Sequence, residues 1–259
     1  MLTAILMTTA AGLSTGLGGL AALFSRRPTD RLLSFSQGFA GGVMLTVSLS
    51  DMLPHAVEEY LTVMNRSRAV GAAVSLFSLG MLISLLLQNC LPEPRPEKLA
   101  VAQGRSTGRL VRAARSAIIT TAVILLHNLP EGVLTLFTGY ANPRFGLALT
   151  MAIALHNIPE GISVSIPVFY ATGSRWKGVA LSLVSGLAEP IGALAAFFFF
   201  RGIITPLFLN GLIAAIAGIM CFVSISELLP ASLSYGQKTA AVAGVALGIL
   251  VMSGGIYLI

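Results

Sequence analysis

Apolar residues run along the chain in eight stretches of about twenty, separated by short polar or proline-containing breaks. A helix needs about 20 mostly apolar residues to cross the hydrocarbon layer of a bilayer. The pattern predicts spans at 2–24, 32–57, 69–91, 117–139, 146–170, 178–200, 206–230 and 239–259. These use most of the 259 residues, so one transmembrane domain over 1–259 is expected, with no second soluble domain. The first stretch has Arg26 and Arg27 behind it and no basic residue ahead, the reverse of a secretory signal peptide, and is expected to stay as a span. The fold class is therefore all-α and integral to the membrane.

Composition agrees: 55% of residues are hydrophobic, 10% are charged and the mean hydropathy is +0.87. A soluble surface takes about a quarter charged residues, so this inventory excludes one. The net charge of +6 does not indicate nucleic acid, because basic residues in a membrane chain mark cytoplasmic loops. Twelve of the sixteen Lys and Arg fall on the odd-numbered connections, which places those loops in the cytoplasm and both termini outside. The longest connection, 92–116, is basic and proline-containing and reads as a flexible cytoplasmic loop without His or Cys. Cys90 and Cys221 form no paired motif.

Five of the ten acids, Asp51, Glu131, Glu160, Glu189 and Glu227, fall inside spans that hold no Lys or Arg. An ionised side chain at mid-bilayer costs about 2.5–3.5 kcal/mol on insertion scales, so protons, metal cations or mutual hydrogen bonds must compensate them. The histidines narrow the choice. His127-Asn-Leu-Pro-Glu-Gly132 and His156-Asn-Ile-Pro-Glu-Gly161 are one six-residue pattern written twice, each beginning ten residues into its span. At 1.5 Å per residue both copies sit near the midplane of two consecutive antiparallel helices. The 1, 2, 5 spacing of His, Asn and Glu puts all three on one helix face. Pro130 and Pro159 cannot donate to the carbonyls of Leu126 and Leu155, which frees backbone oxygens and kinks both helices.

Glu189-Pro190 adds a carboxylate at mid-depth in the next span. His127, Asn128, Glu131, His156, Asn157, Glu160 and Glu189 offer two imidazoles, two amide oxygens and three carboxylates, without thiolate. That set suits Zn(II), Fe(II), Co(II), Mn(II) or Cd(II) and disfavours Cu(I). Seven ligands exceed the needs of one tetrahedral ion, so two ions sharing a carboxylate account for them better.

The paired His-Asn-x-Pro-Glu-Gly motifs followed by Glu-Pro strongly resemble the ZIP family of divalent metal transporters, in particular a bacterial branch, over essentially the whole chain. The resemblance implies a pore-lining centre built by those seven residues on spans four, five and six. It further implies import of zinc, often with iron, manganese or cobalt, across the bacterial inner membrane. The metal would be substrate, with no prosthetic group. The long loop lacks the His-rich tract of many family members, which removes the basis for a metal-sensing role there.

Independently of the family, Gly42-Val-Met-Leu-Thr-Val-Ser-Leu-Ser-Asp51-Met-Leu-Pro54 aligns without a gap on Gly218-Ile-Met-Cys-Phe-Val-Ser-Ile-Ser-Glu227-Leu-Leu-Pro230. Spans two and seven run in opposite directions, so the pair is the mark of an inverted repeat and predicts a 3+2+3 arrangement. Asp51 then lies toward the outer face and Glu227 toward the inner one. Asp51, His55, Glu58 and Glu59 are expected to gather cations outside, with Met44 and Val47 as an apolar constriction further in. Asp51 and Glu227 also read as plain helix-end residues, and Met44 and Met220 as packing. A rival class, an intramembrane metal-dependent hydrolase, would keep three ligands and a separate base; no His-Glu-x-x-His occurs. The small-residue stretches Gly16–Gly19 and Ala241–Gly244 would permit close helix packing or a homodimer in the bilayer.

Overall fold

The structure, a computed structural model, describes residues 1–25, 29–90, 107–200 and 202–258. Among them there is no strand, and eight helical segments are long and apolar enough to cross a membrane. We number these spans 1 to 8: Leu2–Phe24, Asp30–Leu61, Arg66–Cys90, Leu110–Ala141, Pro143–Thr172, Arg175–Phe199, Pro206–Ser234 and Lys238–Leu258. Local chemistry sets their ends. The Thr29 hydroxyl accepts the Leu32 amide at 3.1 Å, and the Thr205 hydroxyl accepts the Phe208 amide at 3.2 Å ahead of Pro206. Span 4 turns into span 5 through Asn142 alone, whose side chain caps the amides of Arg144 and Phe145. Gly173, at φ 72°, closes span 5 in the left-handed conformation that suits glycine.

Two boundaries differ from expectation. Span 2 reaches Leu61, so Glu58 and Glu59 stand on helix and not beyond it. The helix of span 4 begins at Thr107, so 107–116 is helical although it reads as loop by composition. Good helix formers (Leu, Arg, Ala) fill its first turns. Leu110, Ala113 and Ala114 are buried against Leu33, Ile166, Phe169, Tyr170 and Tyr235, so tertiary packing holds these turns. The rest of that connection lies outside the described residues.

The aligned stretches of spans 2 and 7 share a local irregularity. Ser48–Met52 and Ser224–Leu228 are both π-helical, closed by the Leu53 amide on the Ser48 carbonyl and the Leu229 amide on the Ser224 carbonyl. Pro54 and Pro230 supply no N–H to the carbonyls four residues back, and the turn widens just ahead of each. Asp51 and Glu227 occupy these widened turns.

Small residues bring the helices to backbone contact. Gly38 and Gly42 of span 2 lie against Ala241 and Val245 of span 8, while Gly80 of span 3 and Gly218 of span 7 face Ala215 and Phe77. The 2/8 and 7/3 seams exchange under the sequence correspondence between spans 2 and 7. Both small-residue stretches that would permit a homodimer are engaged within the chain: Gly16, Gly18 and Gly19 meet Leu183, Ile158 and Ser182, and Gly244 meets Phe35. The main apolar core joins spans 2, 3, 4, 7 and 8 and includes Met44, Val47, Val123, Ile216 and Met220.

Candidate metal centre

All seven midplane residues are buried: His127, Asn128, Glu131, His156, Asn157, Glu160 and Glu189 each show at most 2% exposure. Helix contact at the final glycine of each motif draws them together. A Cβ on Gly132 would run into the carbonyl of Glu189, and one on Gly161 into the carbonyl of Thr15. Span 4 thus touches span 6, and span 5 touches span 1, at the level of the acids. The helices continue through Pro130, Pro159 and Pro190.

The side chains of the two motifs pair crosswise. His127 Nε2 lies 3.1 Å from Glu160 Oε1, and His156 Nε2 lies 3.5 Å from Glu131 Oε1. The second distance is too long for a strong hydrogen bond. The Asn128 amide donates to the Ser185 carbonyl at 3.1 Å, and the Asn157 amide donates to the Ala11 carbonyl at 3.0 Å and to Glu189 Oε1. A carbonyl can only accept, so each Asn must turn its NH2 to the neighbouring helix and its oxygen elsewhere.

What remains is a concentration of buried acceptors without a hydrogen-bond partner: Asn128 Oδ1, Asn157 Oδ1, both oxygens of Glu131, Glu160 Oε2 and Glu189 Oε2. His127 Nδ1 and both ring nitrogens of His156 are unpartnered as well. Buried polar groups are normally satisfied, and such a cluster of carboxylates, amide oxygens and imidazoles is the chemistry of a cation site. Among the described residues, no three His, Cys, Asp or Glu side chains converge as ligands of one point. Each His–Glu pair instead presents two donors at 3.1 or 3.5 Å. The edge of a tetrahedron with metal–ligand bonds of 2.0–2.1 Å is about 3.3 Å, so either pair fits two corners of one coordination shell.

A cavity of about 270 Å³ opens on this cluster, lined by Asp51 and His55 at one end and His156 and Glu131 at the other, between walls that include Val47, Met52 and Phe145. The His55 ring stands 6.0 Å from that of Phe145. Asp51, His55 and Val47 therefore line this cavity. Met44 does not: it is fully buried in the apolar core and packs instead of lining the cavity. Glu58 is exposed and Glu59 partly buried, one turn beyond His55 on span 2, and neither lines the cavity. Glu227 lies elsewhere, within the field of Arg115 of span 4. The backbone partners Ala11 and Ser185 and the contact glycines Gly132 and Gly161 were not foreseen. The Gly closing both motifs was their one visible signal.

The model of the family described as "ZIP Zinc transporter" matches residues 93–254. The chain is 39% identical over 257 residues to the zinc transporter ZupT of Chlorobium chlorochromatii, covering 98% of this chain and 96% of that protein. It is 38% identical to the ZupT of Akkermansia muciniphila, again covering 98% and 96% of the two chains. The chain belongs to the ZIP family. A ZIP chain is a transporter and not an enzyme, which sets the hydrolase aside, and with eight span-length apolar helices among its described residues it is a multi-pass membrane protein. The ZupT of Streptococcus mutans, 36% identical, covers 98% of this ZIP chain and is itself covered over 96% of its length.

Proposed function

We propose that the protein carries Zn(II), and with it Fe(II), Mn(II), Co(II) or Cd(II), into the cytoplasm through a centre made by His127, Asn128, Glu131, His156, Asn157, Glu160 and Glu189. The observation that supports this most is the cluster of buried, unpaired oxygens on three helices at the inner end of a cavity that begins at Asp51 and His55. A cation reaching the centre replaces the crosswise His–Glu contacts: His127 and Glu160 take one ion, His156 and Glu131 a second, with Asn128, Asn157 and Glu189 completing the shells. Binuclear occupancy follows from the donor count and from the two pairs. Asp51 and His55 concentrate the incoming cation at the outer mouth, with both chain termini outside and Glu227 on the inner side.

Uptake by reconstituted vesicles tests the reading. Zn(II) or Fe(II) entry is expected in the wild type and lost in Glu160→Ala and His156→Ala; equal entry in all three refutes the centre.

A further inference from the structure

Span 2 runs from Asp30 through the widened turn at Ser48–Met52 to Leu61 and carries polar side chains in both halves. Its outer end, Asp51 and His55, lines the cavity. Its inner half holds Ser34 and Gln37, both fully buried. The Gln37 side chain is tied to span 5: Nε2 donates to the Ser163 carbonyl at 3.0 Å. That carbonyl has no helical donor, because the residue four ahead is Pro167. The amide must therefore face Ser163 with its NH2, which leaves Oε1 pointing away, buried and without a partner; Ser34 Oγ, one turn below, is also buried and unpartnered. Ser163 is one turn beyond Glu160, about 4.5 Å along the helix on the side away from the cavity. The Ser163 hydroxyl bonds the Glu160 carbonyl at 2.7 Å, which ties the two positions together.

We propose that the Gln37 side-chain oxygen is the first contact of the cation as it leaves the centre toward the cytoplasm. This rests on the transport reading above. An amide oxygen suits a transit position: it is neutral, so it offsets lost hydration without holding a divalent ion as a carboxylate would. Pro167 creates the oriented amide, since the carbonyl it orphans fixes which end of Gln37 faces the path. The Ser34 hydroxyl then offers the next oxygen on the same face.

The experiment compares Zn(II) binding in detergent with Zn(II) uptake by vesicles in four proteins: wild type, Gln37→Leu, Pro167→Ala, and the double variant. Pro167→Ala returns an amide donor to the Ser163 carbonyl, so in that background Gln37→Leu removes only the oxygen. The expected result is about a tenfold lower maximal uptake in Gln37→Leu, with Zn(II) affinity unchanged, and the same loss in the double variant relative to Pro167→Ala. Wild-type uptake in Gln37→Leu overturns the proposal. So does recovery in the double variant, which would make Gln37 a cap for Ser163 and nothing more. If Gln37→Leu alone does not fold, the double variant decides by the same comparison. Failure of the centre itself reads differently, as uptake that survives Glu160→Ala.

Discussion

Gly132→Ala is the substitution in which the fold and the site are most tightly joined. The added Cβ would occupy the space of the Glu189 carbonyl oxygen, with that residue's carbonyl carbon and Cα next to it. A carbon needs about 3.3–3.6 Å from a carbonyl oxygen, so spans 4 and 6 must part by on the order of 1 Å. Overpacking of this kind costs about 1–3 kcal/mol, and the obstacle is backbone that cannot rotate away, so the upper part of that range applies. Replacing Gly by Ala in a helix returns about 1 kcal/mol, leaving a net loss of about 1–2 kcal/mol. For a chain of this size that is a drop of roughly 2–8 °C in melting midpoint. Gly71→Ala is the control, because nothing lies within 4 Å of its Cβ and the midpoint should rise or hold. Transport should fall more than stability does, since the displaced residue is Glu189. The assay is thermal melting of both purified variants with vesicle uptake alongside. A Gly132→Ala protein that melts at or above wild type and transports at the wild-type rate refutes the close approach and its role in the site.

Four further outcomes follow from the same geometry. Asp51→Asn should raise the half-saturating Zn(II) concentration several-fold in an uptake titration with little change in maximal rate, because it removes a charge at the cavity mouth and not at the centre. Zn(II) binding needs neutral imidazole and ionised carboxylate, so the metal-dependent rise in melting midpoint should shrink as pH falls, and a pH-independent rise contradicts this. Chelation should lower the midpoint of Zn(II)-loaded protein, by about 2.7 kcal/mol of stability when metal had stood at a hundred times its dissociation constant. Tyr170→Phe removes the hydroxyl that donates to Asp30 Oδ1 at 2.6 Å between spans 5 and 2, and melting should report a loss of about 1.5 kcal/mol.

The eight spans were legible because bilayer thickness imposes a length and apolarity that few other structures require, and all eight appear within a few residues of their predicted cores. The helical turns from Thr107 were not, since their arginines read as loop and only burial of Leu110 and Ala113 among distant residues holds them. At the site, the identity and depth of the His, Asn and Glu residues could be read from the repeated motif, because their cost in a membrane demands a reason. Their crosswise pairing could not, as it depends on how two helices face each other. Met44 and Glu58 share a helical stripe with Asp51 in the sequence, yet Met44 packs into the apolar core and Glu58 stands exposed outside the cavity, placements that depend on which helices surround each position. Gln37 escaped notice as a lone amide in a serine- and glycine-rich helix, although Pro167 four residues after Ser163 already implied a carbonyl seeking a donor.

In the proposed centre, metal binds among the side chains of the two motifs and Glu189. Anomalous scattering at the zinc edge from crystals of Zn(II)-loaded protein tests it most directly. Zinc is expected with nitrogen and oxygen ligands at about 2.0–2.2 Å, held by His127, His156 and the neighbouring acids. Zinc located away from these residues, or bound by sulfur at about 2.3 Å, would contradict it.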